Sequence, residues 1–186
     1  ALGAVMFLLV EYNHALIQLP WTEKILASYF MAATRTCGFA TIDMSTTMLP
    51  TQIMMMGLMF IGGAPGSTSG GIKVTTFLLL LLTVLSVFKG RKEVEFAGRR
   101  VSATDVFRAI TVALVSAMVV FMVTIVIALQ NHDLARILFE AVSATGTVGL
   151  SLGITPELNN LGQIMLVLAM VFGRLGPVTI GLAMAY

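Results

Sequence analysis

Thr34-Arg35-Thr36-Cys37-Gly38-Phe39 and Thr145-Gly146-Thr147-Val148-Gly149-Leu150 are one pattern written twice, 111 residues apart. At that offset Ala33 falls on Ala144, Thr34 on Thr145, Thr36 on Thr147 and Gly38 on Gly149. The surroundings repeat as well. Each copy follows a short, largely apolar run with helical spacing, residues 25–33 and 134–144, and each precedes a long block without charge. The spacing predicts a unit of helix, short helix, extended loop and helix, present twice. Units that cannot bury themselves alone must stack with copies, so a closed pore needs more of them than these two.

Composition says where such units live. Of 186 residues, 58% are apolar and 11% charged, against about 45–50% and about 25% in a soluble domain. Mean hydropathy is +0.96. The apolar residues fall in uncharged blocks at 45–72, 74–88, 109–130, 158–173 and 175–186. Since about 20 helical residues cross the hydrocarbon, the length allows four or five passes, and the fold class expected is an all-α membrane protein. Residues 1–10 carry no basic flank or cleavage pattern of a secretory signal, and the last block runs to Tyr186 without a hydrophilic tail. The chain is therefore expected to be part of a larger protein. Cys37 is alone, so it closes no internal disulfide, and no His, Cys and carboxylate spacing suits a transition metal. A net charge of +2 is too small to suggest nucleic acid.

The placement of charge orients the passes. Residues 89–108 hold Lys89, Arg91, Lys92, Arg99, Arg100 and Arg108 against Glu93, Glu95 and Asp105, which by the positive-inside rule makes this connection cytoplasmic. The connections 11–45 and 131–157 then face outward, with only Lys24, Arg35 and Arg136 as basic residues. Thr22 and Asn131 are the expected N-caps of the short helices. Helices of roughly 12 residues are too short to cross a bilayer and suit a segment that dips in and returns. Irregular backbone at that depth must line water or be buried in protein.

Such loops can dehydrate a cation. Backbone carbonyls from several Thr-x-Gly loops replace the hydration shell of a potassium ion, and glycine allows the positive φ that turns successive carbonyls toward one axis. Thr36, Cys37 and Gly38 with Thr147, Val148 and Gly149 are therefore the expected potassium ligands, mainly through backbone carbonyls. Each short helix would aim its partially negative C-terminus at the ion. One such tripeptide alone reads as an ordinary turn between helices; two in register do not. Phe39-Ala40 and Leu150-Ser151 replace the end of a full Thr-Val-Gly-Tyr-Gly run, so fewer ion sites and weaker selectivity are expected. The Cys37 thiol is expected to face the packing behind its loop.

Gly62, Gly63, Ala64, Pro65, Gly66, Ser67, Thr68, Ser69, Gly70 and Gly71 interrupt the next block. Five glycines and a proline exclude a helix interior, and the flanks, 48–61 and 72–88, are each short for a full pass. Together they read as one broken span. Residues 62–71 are thus a candidate gate loop, apart from Ala64 and Pro65 built of Gly62, Gly63, Gly66, Ser67, Thr68, Ser69, Gly70 and Gly71. Ile72 stands where a phosphate-binding loop needs lysine, and Thr68 where a nucleophile elbow needs serine. His14 and His132 read as surface histidines, and no enzyme activity is expected. Arg174 is the remaining anomaly. A guanidinium within hydrocarbon costs several kcal/mol, about 2.5–3.5 on insertion scales, and needs partners. At the 111 offset it pairs with Gly63, the depth of the break, so it is expected to donate to carbonyls or hydroxyls beneath the filter and to slow cations when the gate is closed.

On these four stretches, 34–39, 62–73 ending Ser-Gly-Gly-Ile-Lys, 147–151, and Gly173-Arg174-Leu175-Gly176-Pro177, the sequence resembles the Trk/Ktr/HKT superfamily of potassium transporters, most closely the KtrB-type membrane subunit of bacteria. The resemblance implies four helix–pore-helix–helix repeats around one pore. This chain would hold the third (1–88, with the intramembrane gate loop 62–71) and the fourth (103–186), joined by a cytoplasmic basic linker, 89–102. It implies one filter glycine per repeat, Gly38 and Gly149, and a basic gate residue, Arg174. Cys37 stands where the family commonly has a small residue such as alanine. The resemblance also implies a bacterial cell-membrane homodimer, surrounded by lipid, on a cytoplasmic ring of nucleotide-binding regulatory subunits, with potassium transported and sodium stimulating. The alternatives from the residues themselves are a secondary cation transporter of alternating access, with its site at the broken helix, and a structural scaffold.

Overall fold

The computed structural model describes residues 2–67, 69–90, 95–96 and 99–176. Expectations for Thr68, Arg91, Lys92, Glu93, Pro177 and the rest of the final block lie outside these residues. Among the described residues seven helices follow in order: α1 (Leu2–Glu11), α2 (Trp21–Ala33), α3 (Leu49–Phe60), α4 (Val74–Phe88), α5 (Ala103–Ala128), α6 (Leu134–Thr145) and α7 (Asn160–Leu175). A small antiparallel hairpin, β1 (Glu95–Phe96) and β2 (Arg99–Arg100), lies in the basic connection, an addition to the all-helical expectation.

The repeat is visible in where elements begin. The 3-10 turns Met44–Thr46 and Thr155–Glu157 start 111 residues apart, and so do α3 at Leu49 and α7 at Asn160. The same orphan backbone group is satisfied in both copies. The first N–H groups of a helix have no partner within it; the Met48 N–H donates to Glu11 Oε1 at 2.8 Å, and the Asn159 N–H donates to Gln130 Oε1 at 3.0 Å. Residues 48 and 159 are again 111 apart. A side chain at the end of the first helix of each unit thus anchors the start of its last helix. Glu11, fully buried, also accepts from Thr51 Oγ1 and from the Ala15 N–H.

Two expected caps are not found. The residue before α2 is Pro20 and the one before α6 is Asp133, neither with a side-chain cap bond. Thr22 lies within the first turn of α2, because Pro20 has already set extended backbone ahead of it. Asn131 adopts φ 59° and closes the end of α5, its N–H donating to Ala128 C=O; asparagine tolerates this left-handed geometry better than most residues. Where sequence does cap, it does so by side chain: Ser102 Oγ accepts the Asp105 N–H at the start of α5, and Asn159 Oδ1 the Gly162 N–H of α7.

α5, with 26 residues, is long and apolar enough to cross a membrane; among the described residues the other apolar helices have 10–16. α3 and α4 are the two halves of the interrupted block. The core is centred on α6, buried at Ile137 and from Phe139 to Thr145, with α5 and α7 from its own unit and α3 from the other packed around it. Met31, Met55, Met59, Ile127 and Phe139 are fully covered there. Outside, large apolar side chains stand exposed, among them Leu2, Phe88, Phe107 and Leu129. A water-soluble surface rarely exposes so much contiguous apolar area; these faces suit lipid.

Candidate functional site

The two Thr-x-Gly stretches come together. Gly38 has φ +75° and Gly149 φ +97°, the left-handed region that glycine enters without cost. A Cβ on Gly38 would sit 2.4 Å from the Val148 carbonyl oxygen and 3.1 Å from the Gly149 Cα. The Val148 oxygen therefore points out of its own unit, at the loop of the other.

Each loop is held from its own short helix. In the first, the N–H groups of Cys37 and Gly38 both donate to Thr34 C=O, at 2.9 and 3.1 Å. In the second, the Val148 N–H donates to Ser143 C=O at 2.9 Å and the Gly149 N–H to Ser143 Oγ at 3.2 Å. Glu140, one turn earlier and 6% exposed, accepts from Ser151 Oγ and from the Leu152 N–H. Arg136 reaches the Leu152 carbonyl and Glu157. Composition and spacing did not single out Ser143 or Glu140; the signal was present, a carboxylate and a hydroxyl at i and i+3 on the face of a short helix whose neighbours are apolar.

The Cys37 thiol is a correction. It is exposed, its Sγ 3.5 Å from Thr34 C=O, rather than packed behind the loop. The tight turn onto Thr34 rotates the side chain out of the unit. The histidines are also less isolated than expected: His14 Nδ1 lies 3.3 Å from Glu11 Oε2, and His132 Nδ1 lies 3.8 Å from Glu157 Oε2. Between α2 and α3, Asp43 Oδ1 accepts the Ser45 N–H at 2.9 Å, and this bond holds the Asp43 carboxyl below the usual carboxylate range.

The broken span is a loop with a closed neck. The Gly62 N–H donates to Ile72 C=O at 2.7 Å, the Ile72 N–H to Phe60 C=O at 3.2 Å, and the Val74 N–H to Gly63 C=O at 3.2 Å. The chain thus leaves α3 and re-enters α4 at nearly the same point, with residues between 62 and 71 projecting from it. Ser69 Oγ accepts the Gly63 N–H, and Lys73 Nζ donates to the carbonyls of Ser67 and Ser69. Gly66 and Gly71 take positive φ. Of the loop residues expected to form a gate, Gly62 and Gly70 are buried, Gly63, Ser69 and Gly71 half-buried, and Gly66 and Ser67 exposed.

One Thr-x-Gly stretch is tied to this loop and the other to the end of α3 that precedes it. The Gly70 N–H donates to Thr147 Oγ1 at 2.8 Å. Thr147 has φ +52°, an outlier for a β-branched residue, and strain of this kind clusters at functional sites. From the other stretch, Arg35 Nη1 donates to the carbonyls of Leu58 and Ile61 at the end of α3, where a cation also meets the negative end of the helix dipole. Arg35 thus makes the kind of contact with carbonyls that the sequence led us to expect of Arg174. Arg174 stands exposed in the last turn of α7, beside Gly173, whose absent Cβ would lie 1.9 Å from Thr145 C=O. The structure thus brings Thr36–Gly38, Thr147–Gly149 and the loop 62–71 together, with Arg174 on α7, the helix that packs on α6.

Comparison with known proteins gives the family. Residues 2–186 match TrkH, a family described as cation transport protein. The Ktr system potassium uptake protein D of Bacillus subtilis is 37% identical over 179 residues, covering 95% of this chain and 40% of the relative. The potassium/sodium uptake protein NtpJ of Enterococcus hirae is 37% identical over 186 residues, covering 96% and 41%. The chain thus spans about two fifths of the length of these relatives. Its fold matches the crystal structure of the potassium transporter TrkH from Vibrio parahaemolyticus with a TM-score of 0.78 at 21% identity, over 98% of this chain and 41% of that one. The tandem pore-helix units, the paired loops and a match running essentially end to end place the chain in a membrane-transporter family: it belongs to the TrkH family of cation transport proteins.

Proposed function

We propose that the chain supplies two adjoining sides, the third and fourth, of a four-sided potassium uptake pore in the cell membrane. Potassium is dehydrated at the carbonyls of Thr36, Cys37 and Gly38 and of Thr147, Val148 and Gly149, and passes inward when the loop 62–71 moves aside. The observation that carries this reading is the Val148 carbonyl aimed across the unit boundary at Gly38. A carbonyl facing a neighbouring loop rather than a hydrogen-bond donor is what an ion-lining position requires. The names of the relatives, potassium uptake and potassium/sodium uptake, supply the ion, with sodium as the second.

Closure follows from the tethers. While the Gly70 N–H holds Thr147 Oγ1, the gate loop sits at the foot of the fourth filter loop; its neck is pinned by three backbone bonds, so it moves as a flap on a fixed base. Lys73 and Arg174 add positive charge at that level and disfavour a passing cation. The chain crosses the membrane several times, with residues 89–102 inside. The family resemblance supports a homodimer on a nucleotide-binding ring, and no catalytic role.

Growth of an uptake-deficient bacterium at limiting potassium, expressing the full-length protein that carries these residues, tests the reading. Rescue that is lost when Gly149 is replaced by valine is expected; rescue that persists would refute the filter. Flux in liposomes locked in stoichiometry to a second ion would instead favour alternating access at the broken helix.

A further inference from the structure

The two filter loops are not held alike. We infer that Ser143, assisted by Glu140, is a positioning residue that fixes the direction of the fourth loop's carbonyls and so sets the preference for potassium over sodium. The inference rests on the potassium-pore reading above. Its basis is peptide geometry: in a trans peptide unit the N–H and the C=O point in opposite directions. The Val148–Gly149 unit has its N–H on Ser143 Oγ at 3.2 Å, so its carbonyl must face away from α6, and it does, toward Gly38. The Ser151–Leu152 unit has its N–H on Glu140 Oε1 at 3.2 Å, which turns the Ser151 carbonyl away from that carboxylate in the same manner. Ser143 is 2% exposed and Glu140 6%, so both acceptors are largely shielded from water.

At the 111 offset the other unit has Tyr29, Ala32 and Ala40 in place of Glu140, Ser143 and Ser151. Its Gly38 N–H is held by a backbone carbonyl, that of Thr34, so its loop can relax only together with the turn. The fourth loop depends on a hydroxyl, and without it the Val148–Gly149 unit is free to rotate and present an N–H to the ion. A filter with one loosened wall fits the smaller sodium ion more readily.

The experiment is the potassium-to-sodium permeability ratio of the full-length protein in liposomes, with Ser143→Ala, Ser143→Thr and Ser151→Ala. Loss of one hydrogen bond corresponds to about a two- to tenfold change in equilibrium. Ser143→Ala is expected to lower the ratio by about that factor, and Ser143→Thr, which keeps the hydroxyl, to restore it. Ser151→Ala, at an exposed position, carries the same test by removing the loop's donor to Glu140 should the Ser143 variant fail to accumulate, with a lowered ratio expected. An unchanged ratio in whichever of the two alanine variants accumulates overturns the inference while leaving the pore reading intact. A wild-type protein that carries neither ion overturns both.

Discussion

Gly38→Ala isolates the filter in one methyl group. The backbone there has φ +75°, and the added Cβ would lie 2.4 Å from the Val148 oxygen. Contacts below 3.0 Å do not persist, so that oxygen, or the loop opposite, must move by at least 0.6 Å. Left-handed geometry costs a non-glycine residue about 1–2 kcal/mol, and overpacking a fitted site about 1–3 kcal/mol more. Binding sites need their ligating atoms within about 0.5 Å of the productive position. The shift exceeds that tolerance on the atom proposed to meet the ion. Potassium flux in liposomes, normalised to inserted protein, should fall about tenfold or more, since misplacement near 1 Å can cost about a hundredfold. Gly153→Ala is the control: φ is +81° but nothing lies within 4 Å of its Cβ, so it bears the backbone strain without the collision. It should lower thermal stability and leave flux and selectivity in place. If Gly38→Ala also transports at the wild-type rate with wild-type selectivity, the Val148 carbonyl does not line the path.

Arg35→Leu removes the donor to the carbonyls of Leu58 and Ile61; with the end of α3 released, the uptake rate without regulator should rise, and an identical rate would count against a link between filter and gate. Gly173→Ala would place a Cβ 1.9 Å from the Thr145 carbonyl oxygen, forcing α7 off α6, and should destabilise by about 1–3 kcal/mol in a thermal melt. Glu11→Ala leaves the Met48 N–H and the Thr51 hydroxyl without their buried acceptor, at about 1–3 kcal/mol for each orphaned group; Glu11→Gln, retaining one oxygen, should lose less. Gly57→Ala, inside α3 with open space around it, should stabilise by about 0.5–1 kcal/mol, and a loss of stability would show that the face of α3 is filled by a neighbour in the membrane.

The offset of 111 was legible because both loops need the same residues for the same reason: a threonine turn and a glycine at positive φ. Residues 62–71 were legible because no helix tolerates that run of glycine and proline. Arg35 was harder. In sequence it reads as a substitute for Gly146, and only the fold shows that the added side chain reaches two carbonyls at the end of α3. Ser143 and Glu140 were hidden because their partners are backbone N–H groups of a loop, which carry no side-chain signature. The caps of α2 and α6 were each misplaced by two residues, since Pro20 and Asp133 set the extended backbone that capping residues more often provide by side-chain bonding.

The break after α3 and the last turn of α7 lie at equivalent glycines. Gly62 and Gly173 are 111 apart, and at each a Cβ would overlap a carbonyl oxygen, at 2.0 Å from that of Gly70 and 1.9 Å from that of Thr145. In α7 the missing side chain lets the helix lie directly on the end of α6, within its own unit. In α3 the same freedom is used by the chain itself, which folds back so that Gly70 packs against Gly62 and, on its far side, against Thr147 and the Gly146 carbonyl of the other unit. A position that seats a helix in one copy therefore seats a loop in the other, and the loop's free face lands on the opposing Thr-x-Gly stretch. The gate proposed for this loop therefore needs no new element, only residues after Gly62 small enough to double back.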